Sequence, residues 1–166
     1  MTDISSNKVA IITGGSRGVG AATAKLLASK GWNVTITCTS SMDDANNVLK
    51  ECEVFGTEAM AIAADVSEDI SCRKTVEETM KKWGRIDALV NNAGSTKFVF
   101  NHADLDGLDA EDFLHIYKVN VVGPFHMVRA CKDMLLKSDN PSVVNISSIA
   151  GIKGIGSCIA YASSKG

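Results

Sequence analysis

"KVAIITGGSRGVG", residues 8–20, is a short apolar run followed at once by a turn carrying Gly14, Gly18 and Gly20. The run has the length of a strand. Its apolar residues are consecutive rather than alternating, as in a strand buried on both faces. Glycines between a strand and a helix permit positive φ and let the backbone approach a diphosphate, whose charge the helix N-terminus stabilises. Gly14, Ser16, Arg17, Gly18, Val19 and Gly20 are the first candidate nucleotide contacts. A tight turn without a ligand is the other reading of the same glycines.

Working outward, "NVTITC" (33–38), "AMAIAA" (59–64), "DALVNN" (87–92) and "SVVNIS" (142–147) are further strand-length runs. Helical patterns separate them. Val19, Ala22 and Leu26 mark one helix face, and Val76, Met80 and Trp83 mark another. Residues 109–137 read as one long helix, with Asp109 as N-cap and acids in the first turn. Gly31, Gly56 and Gly84 fall where helices should end. Strands alternating with helices imply an α/β fold: a doubly wound parallel sheet of Rossmann type, with helices on both faces. A ligand then lies at the carboxyl ends of the strands.

The chain has 166 residues, 45% of them apolar and 22% charged, which suits one globular domain without a second. A formal charge of −2, with scattered basic residues, gives no electrostatic case for nucleic acid. No apolar run approaches a membrane span, and "MTDISSNK" has no hydrophobic signal core. Five widely spaced cysteines (38, 52, 72, 131, 158) without a CxxC predict reduced thiols in a cytoplasmic protein. His102, His115 and His126 lack metal-ligand spacing and read as surface or packing residues, so no metal is expected.

The glycine spacing, TGxxxGxG, resembles that of the short-chain dehydrogenase/reductase family. Further family motifs stand in the expected order: "NNAG" at 91–94, Asn120 in the long helix, "NISS" at 145–148, and the YxxxK of Tyr161 and Lys165. Ser148 precedes the tyrosine by thirteen residues, the spacing that selects it over Ser147. The layout looks most like the 3-oxoacyl-[acyl-carrier-protein] reductase branch.

That resemblance implies a nicotinamide cofactor. An acidic side chain at the end of the second strand would bond a ribose 2′-hydroxyl and repel a 2′-phosphate. Here the strand leaves through "TCTSSM", and Asp43 and Asp44 read as the start of the next helix. Arg17 stands where NADP-using relatives place a cation, and Thr39 and Ser40 can donate hydrogen bonds, so NADP is expected over NAD. By resemblance, Asp65 would bond the adenine amino group with Val66 beside the ring, and Asn92, Ala93 and Gly94 would line the ribose side. Asp65 also reads as a cap for a helix beginning near Ser67.

The family mechanism implies hydride transfer between NADP(H) and a carbonyl or alcohol, with Tyr161 as acid/base. Lys165 would lower the phenol's pKa and bind the nicotinamide ribose, Ser148 would hold the substrate oxygen, and Asn120 would anchor a water. Lowering a phenol from its usual pKa of about 10 to about 7 requires roughly 4 kcal/mol. A cation about 4 Å away at an effective dielectric of about 20 supplies roughly that much. Tyr161 and Lys165, four apart, share a helix face.

The resemblance covers the whole chain but only about two-thirds of a family member, so further strands and helices are expected after Gly166. Without them, "SVVNIS" becomes an edge strand, the long helix exposes an apolar stripe, and the closing helical turn cannot nucleate alone. The alternative reading is a truncated, catalytically silent nucleotide-binding or assembly protein. Relatives assemble as homodimers or homotetramers through the helix containing Asn120 and the one starting at Tyr161. Residues 95–113 border the expected substrate pocket, where Phe98, Val99 and Phe100 either meet a partly hydrophobic ligand or pack beneath the loop.

Overall fold

The computed structural model describes residues 7–99 and 101–166. The opening six residues and Phe100, both used in the sequence reading, lie outside the described residues. Its strands are β1 (Val9–Ile12), β2 (Asn33–Cys38), β3 (Ala59–Ala63), β4 (Ala88–Asn91) and β5 (Ser142–Asn145). They pair in parallel in the order β3-β2-β1-β4-β5. The helices are α1 (Gly18–Ser29), α2 (Met42–Glu53), α3 (Asp69–Trp83), α4 (Ala110–Tyr117), α5 (Gly123–Leu135), α6 (Ile149–Lys153) and α7 (Ile159–Ser164).

Every residue of β1, β2 and β4 is buried, as consecutive apolar residues in a two-faced sheet require. Side chains alternate between two cores. Ala10 and Ile12 face α1 and α2 on one side. Ile11 and Leu89 face α3 and α5 on the other. Thr35 and Thr79 meet inside the second layer at 2.9 Å, so these buried hydroxyls satisfy one another.

The buried face of α1 is Gly20, Ala21, Ala24 and Ala28, whereas Val19 and Leu26 are 58% and 60% exposed. The face expected from Val19, Ala22 and Leu26 therefore points outward. Small residues let α1 lie close to the sheet, and bulk there would hold it away. On α3, Val76 and Met80 do face the core, together with Cys72, Thr75 and Thr79. Gly31, Gly56 and Gly84 adopt positive φ at or just past helix ends, as read from the sequence.

Residues 109–137 are not one uniform α-helix. A capping box between Asp109 and Asp112 starts α4, and a π-helical turn, Lys118–Val122, joins it to α5. Pro124 explains the break: it lacks the N–H that would donate to the carbonyl of Asn120, so the ladder shifts and Gly123 N–H donates to Lys118 O. At the far edge, β5 is exposed along its whole length. Leu114, Tyr117, Val121 and Phe125 form an exposed stripe along the interrupted helix. Both features match the sequence reading.

Candidate active site

The sheet order reverses between β1 and β4, and a cleft of about 430 Å³ opens at the strand carboxyl ends there. Its floor is a locked junction between the glycine turn and the end of β4. Thr13 Oγ1 accepts from the N–H groups of Asn92 and Ala93, both at 3.0 Å. Asn92 Nδ2 returns bonds to Thr13 O (2.9 Å) and Gly14 O (3.0 Å). A Cβ on Gly14, whose φ is +64°, would stand 2.9 Å from Ala93 Cα. One on Gly20 would collide with Gly14 O and come within 2.5 Å of Asn92 Nδ2. The glycines are thus fixed by close approach as well as by backbone angle.

Of the expected nucleotide contacts, Gly14, Ser16, Arg17, Val19, Thr39, Ser40, Asp65, Val66, Asn92, Ala93 and Gly94 line this cleft. Gly18 and Gly20 shape the turn from behind instead. Gly18 adopts φ +56° at the first residue of α1, and Gly20 is buried against the junction. The N-terminus of α1 has no side-chain cap and no acid in its first turn, leaving its N–H groups for an anion. Asp43 and Asp44 sit in the first turn of α2, as expected. Asp65 does not cap a helix at Ser67. Its carboxylate accepts from Ser67 N–H at 2.8 Å in a local turn, and α3 begins at Asp69. These residues fit a dinucleotide: glycines admit the diphosphate, free N–H groups and Arg17 offset its charge, and Asp65 is the one carboxylate among the described lining residues.

The four expected catalytic residues lie beside this cleft rather than in its wall. Asn120 is buried in the π-turn, and its amide is fully used. Its Oδ1 accepts from Ser95 N–H (2.8 Å), and its Nδ2 donates to Ser95 O (3.0 Å) and Ser164 Oγ (2.8 Å). Ser148 caps α6, accepting from Ala150 N–H at 3.1 Å. Tyr161 sits in α7 against a small core of Ile116, Cys158 and Ala160, and its N–H donates to the capping Cys158 Sγ at 3.3 Å.

Lys165 lies just past the end of α7 rather than inside it, and its Nζ donates to Ile146 O at 2.9 Å. That ammonium stands 6.0 Å from the Tyr161 ring centroid. Burial lowers its pKa from the usual lysine value. A Cβ on Gly94 would lie 3.4 Å from Asn120 Oδ1 and 3.6 Å from Lys165 Nζ, so the end of β4, the π-turn and the end of α7 converge. The closing turn does form, against the expectation that it could not. Nucleation is overcome by tertiary bonds: Asn120 to Ser164, Lys165 to Ile146, and Ser147 Oγ to Lys165 O at 2.6 Å.

Thr37, Cys38, Ser41, Ala64, His115 and Val119 also line the cleft outside the expected set, as does Ser95, the first residue of the segment expected to border the substrate pocket. Thr37 stands near the end of β2, and its hydroxyl accepts from Gly14 N–H at 3.3 Å, a bond between residues 23 apart that no local pattern signals. His115 had no local signal either, because only the packing of α4 carries it to the cleft. All five cysteines are free and buried. Among the described residues there is no cluster able to hold a metal, and no helix long and apolar enough to cross a membrane.

A family model for short chain dehydrogenases matches residues 8–166. The chain is 38% identical over 165 residues to a granaticin polyketide synthase protein of Streptomyces violaceoruber designated ketoacyl reductase 2, covering 99% of this chain and 64% of that one. It is 35% identical over 147 residues to a 3-oxoacyl-[acyl-carrier-protein] reductase of Synechocystis sp., covering 89% and 58%. Among solved structures, a Burkholderia xenovorans protein assigned to the short-chain dehydrogenases/reductases superposes with a TM-score of 0.93 at 42% identity, covering 96% of this chain and 67% of that one. An NAD+-bound xylitol dehydrogenase superposes with a TM-score of 0.86 at 29% identity, covering 95% and 59%. The chain spans about three-fifths of the length of the curated relatives it matches.

Proposed function

This chain belongs to the short-chain dehydrogenase family, and from that premise we propose that its protein transfers a hydride between NADP(H) and a carbonyl or alcohol substrate, with Tyr161 as acid/base. The convergence of Gly94, Asn120 and Lys165 beside the nucleotide cleft carries this reading. Family membership favours it over a catalytically silent nucleotide-binding protein.

When bound, the nicotinamide supplies or accepts the hydride. Tyr161 moves the accompanying proton at the substrate oxygen. Lys165 spends one donor on Ile146 O and keeps two for ribose hydroxyls. Ser148 uses an oxygen lone pair to cap α6, so its O–H remains to donate to the substrate oxygen. The amide of Asn120 is committed to Ser95 and Ser164, so anchoring a water falls to its carbonyl, which Pro124 deprives of an α-helical donor.

NADP is preferred because Arg17, Thr39 and Ser40 line the cleft where β2 ends, and no carboxylate from that strand end joins them. Assembly of the whole protein as a homodimer or homotetramer, through the helices bearing Asn120 and Tyr161, is what membership of the family implies.

The deciding experiment uses the full-length protein, with NADPH oxidation followed over a panel of ketones. Tyr161→Phe is expected to abolish turnover and leave the NADPH Kd nearly unchanged; a fully active variant removes Tyr161 from its role. Arg17→Ala should weaken NADPH and leave NADH little changed. Equal effects on the two would defeat the NADP assignment.

A further inference from the structure

Ser95 and His115 join the nucleotide cleft from opposite sides, one from the loop after β4 and the other from α4. Their polar atoms, Ser95 Oγ and His115 Nε2, lie 3.0 Å apart. Val119, in the π-helical turn that follows α4, lines the cleft as well. The main chain of Ser95 is already fixed, because Asn120 bonds both its N–H and its carbonyl. With the backbone held by one side chain and the hydroxyl by another, Ser95 presents a set orientation to whatever fills the cleft.

We propose that His115 is a positioning residue for the dinucleotide, holding the Ser95 hydroxyl so that it bonds an oxygen of the ligand's ribose–diphosphate backbone. This rests on the nucleotide-binding reading above. Either tautomer of His115 leaves Ser95 a free polar function: if Nε2 accepts, the oxygen lone pairs remain, and if Nε2–H donates, the hydroxyl proton remains. A sugar hydroxyl can meet either, and a phosphoryl oxygen meets the second. The imidazole is solvent-facing and belongs to neither core layer, so its removal spares the fold.

The test is direct titration of the full-length protein with NADPH, read by cofactor fluorescence without turnover, for wild type, His115→Ala, His115→Gln, Ser95→Ala and the double variant. Loss of one oriented hydrogen bond predicts a Kd raised about 3- to 10-fold in each alanine variant. The double variant should be no weaker than Ser95→Ala alone, because His115 acts through Ser95. Glutamine, which can also face the serine hydroxyl, should restore most of the affinity. Displacing bound NADPH with 2′-phospho-ADP, which lacks the second ribose, distinguishes the sources: a loss retained with this ligand puts the contact on the shared adenosine-diphosphate part, and a loss confined to NADPH puts it on the nicotinamide ribose. Unchanged Kd in both alanine variants, or additive losses, overturns the proposal while leaving cofactor binding intact. Wild type that binds neither NADPH nor NADH overturns the nucleotide reading itself, and this inference with it.

Discussion

The carboxamide of Asn120 grips Ser95 by both main-chain polar groups, accepting from its N–H at 2.8 Å and donating to its carbonyl at 3.0 Å. The second amide proton reaches Ser164 Oγ, which in turn donates to Tyr161 O at 2.8 Å. One side chain thus ties the loop after β4 to the helix bearing Tyr161. Asn120→Ala should lower stability by about 2–4 kcal/mol, since several partly buried groups lose partners at about 1–3 kcal/mol each. Urea unfolding measures this. A change under 0.5 kcal/mol would show that water replaces the amide.

Gly20→Ala sets two effects against each other. Alanine gains about 1 kcal/mol of helix propensity. Its Cβ, however, would meet Gly14 O and the Asn92 amide, neither of which can retreat without breaking the β1–β4 junction. Overpacking of this kind costs about 1–3 kcal/mol, so net destabilisation and weaker NADPH binding are expected. Gly31→Ala is the control: it stands in open space at φ +83°, and only the backbone conformation opposes it, by about 1 kcal/mol. An NADPH Kd unchanged in Gly20→Ala, as it should be in Gly31→Ala, would contradict the close-approach argument.

Asp87 is buried at the base of the sheet. Burial alone would raise its pKa. The Arg85 guanidinium at 2.8 and 2.9 Å, the Ser138 hydroxyl at 2.7 Å and the Val9 N–H at 2.8 Å outweigh burial and hold it below the usual carboxylate value. A depressed folded pKa contributes stability above the unfolded value of about 3.9, and loses it as pH falls through the folded value. Wild type should therefore destabilise more steeply than Asp87→Asn below about pH 4. Parallel curves of urea midpoint against pH would refute the linkage.

Burial pushes the Cys131 thiol up to about 12, and the Cys52 and Cys72 thiols up to about 11. The reactive species is the thiolate, so none of these should react quickly with a disulfide reagent at pH 8. Unfolding should release all five thiols. Cys38 lines the cleft, and NADPH should slow its modification further. A fast-reacting thiol in the native protein would contradict the packing of the core that holds it.

Much of the fold was legible from sequence because its causes are local. A strand covered on both faces must be apolar at consecutive positions, and β1, β2 and β4 are. The positive-φ turn at Gly14 and Gly18 and the Asp109 cap likewise need only neighbouring residues. Eleven expected nucleotide contacts line the cleft for the same reason: they sit at strand ends, and the α/β topology brings strand ends together.

What needed the tertiary structure are pairings between residues far apart in the chain. The core face of α1 could not be read from its large apolar residues, because close approach to the sheet selects alanine and glycine there. Asn120 and Ser164 are 44 residues apart, and Lys165 and Ile146 are 19 apart. No local pattern encodes either bond, yet they stabilise the closing turn that helix propensity alone leaves unformed. The sequence by itself determined which elements exist and where a nucleotide would lie. Packing decided which side chains meet there, since a hydrogen bond is made only when folding carries donor and acceptor to within about 3 Å of each other.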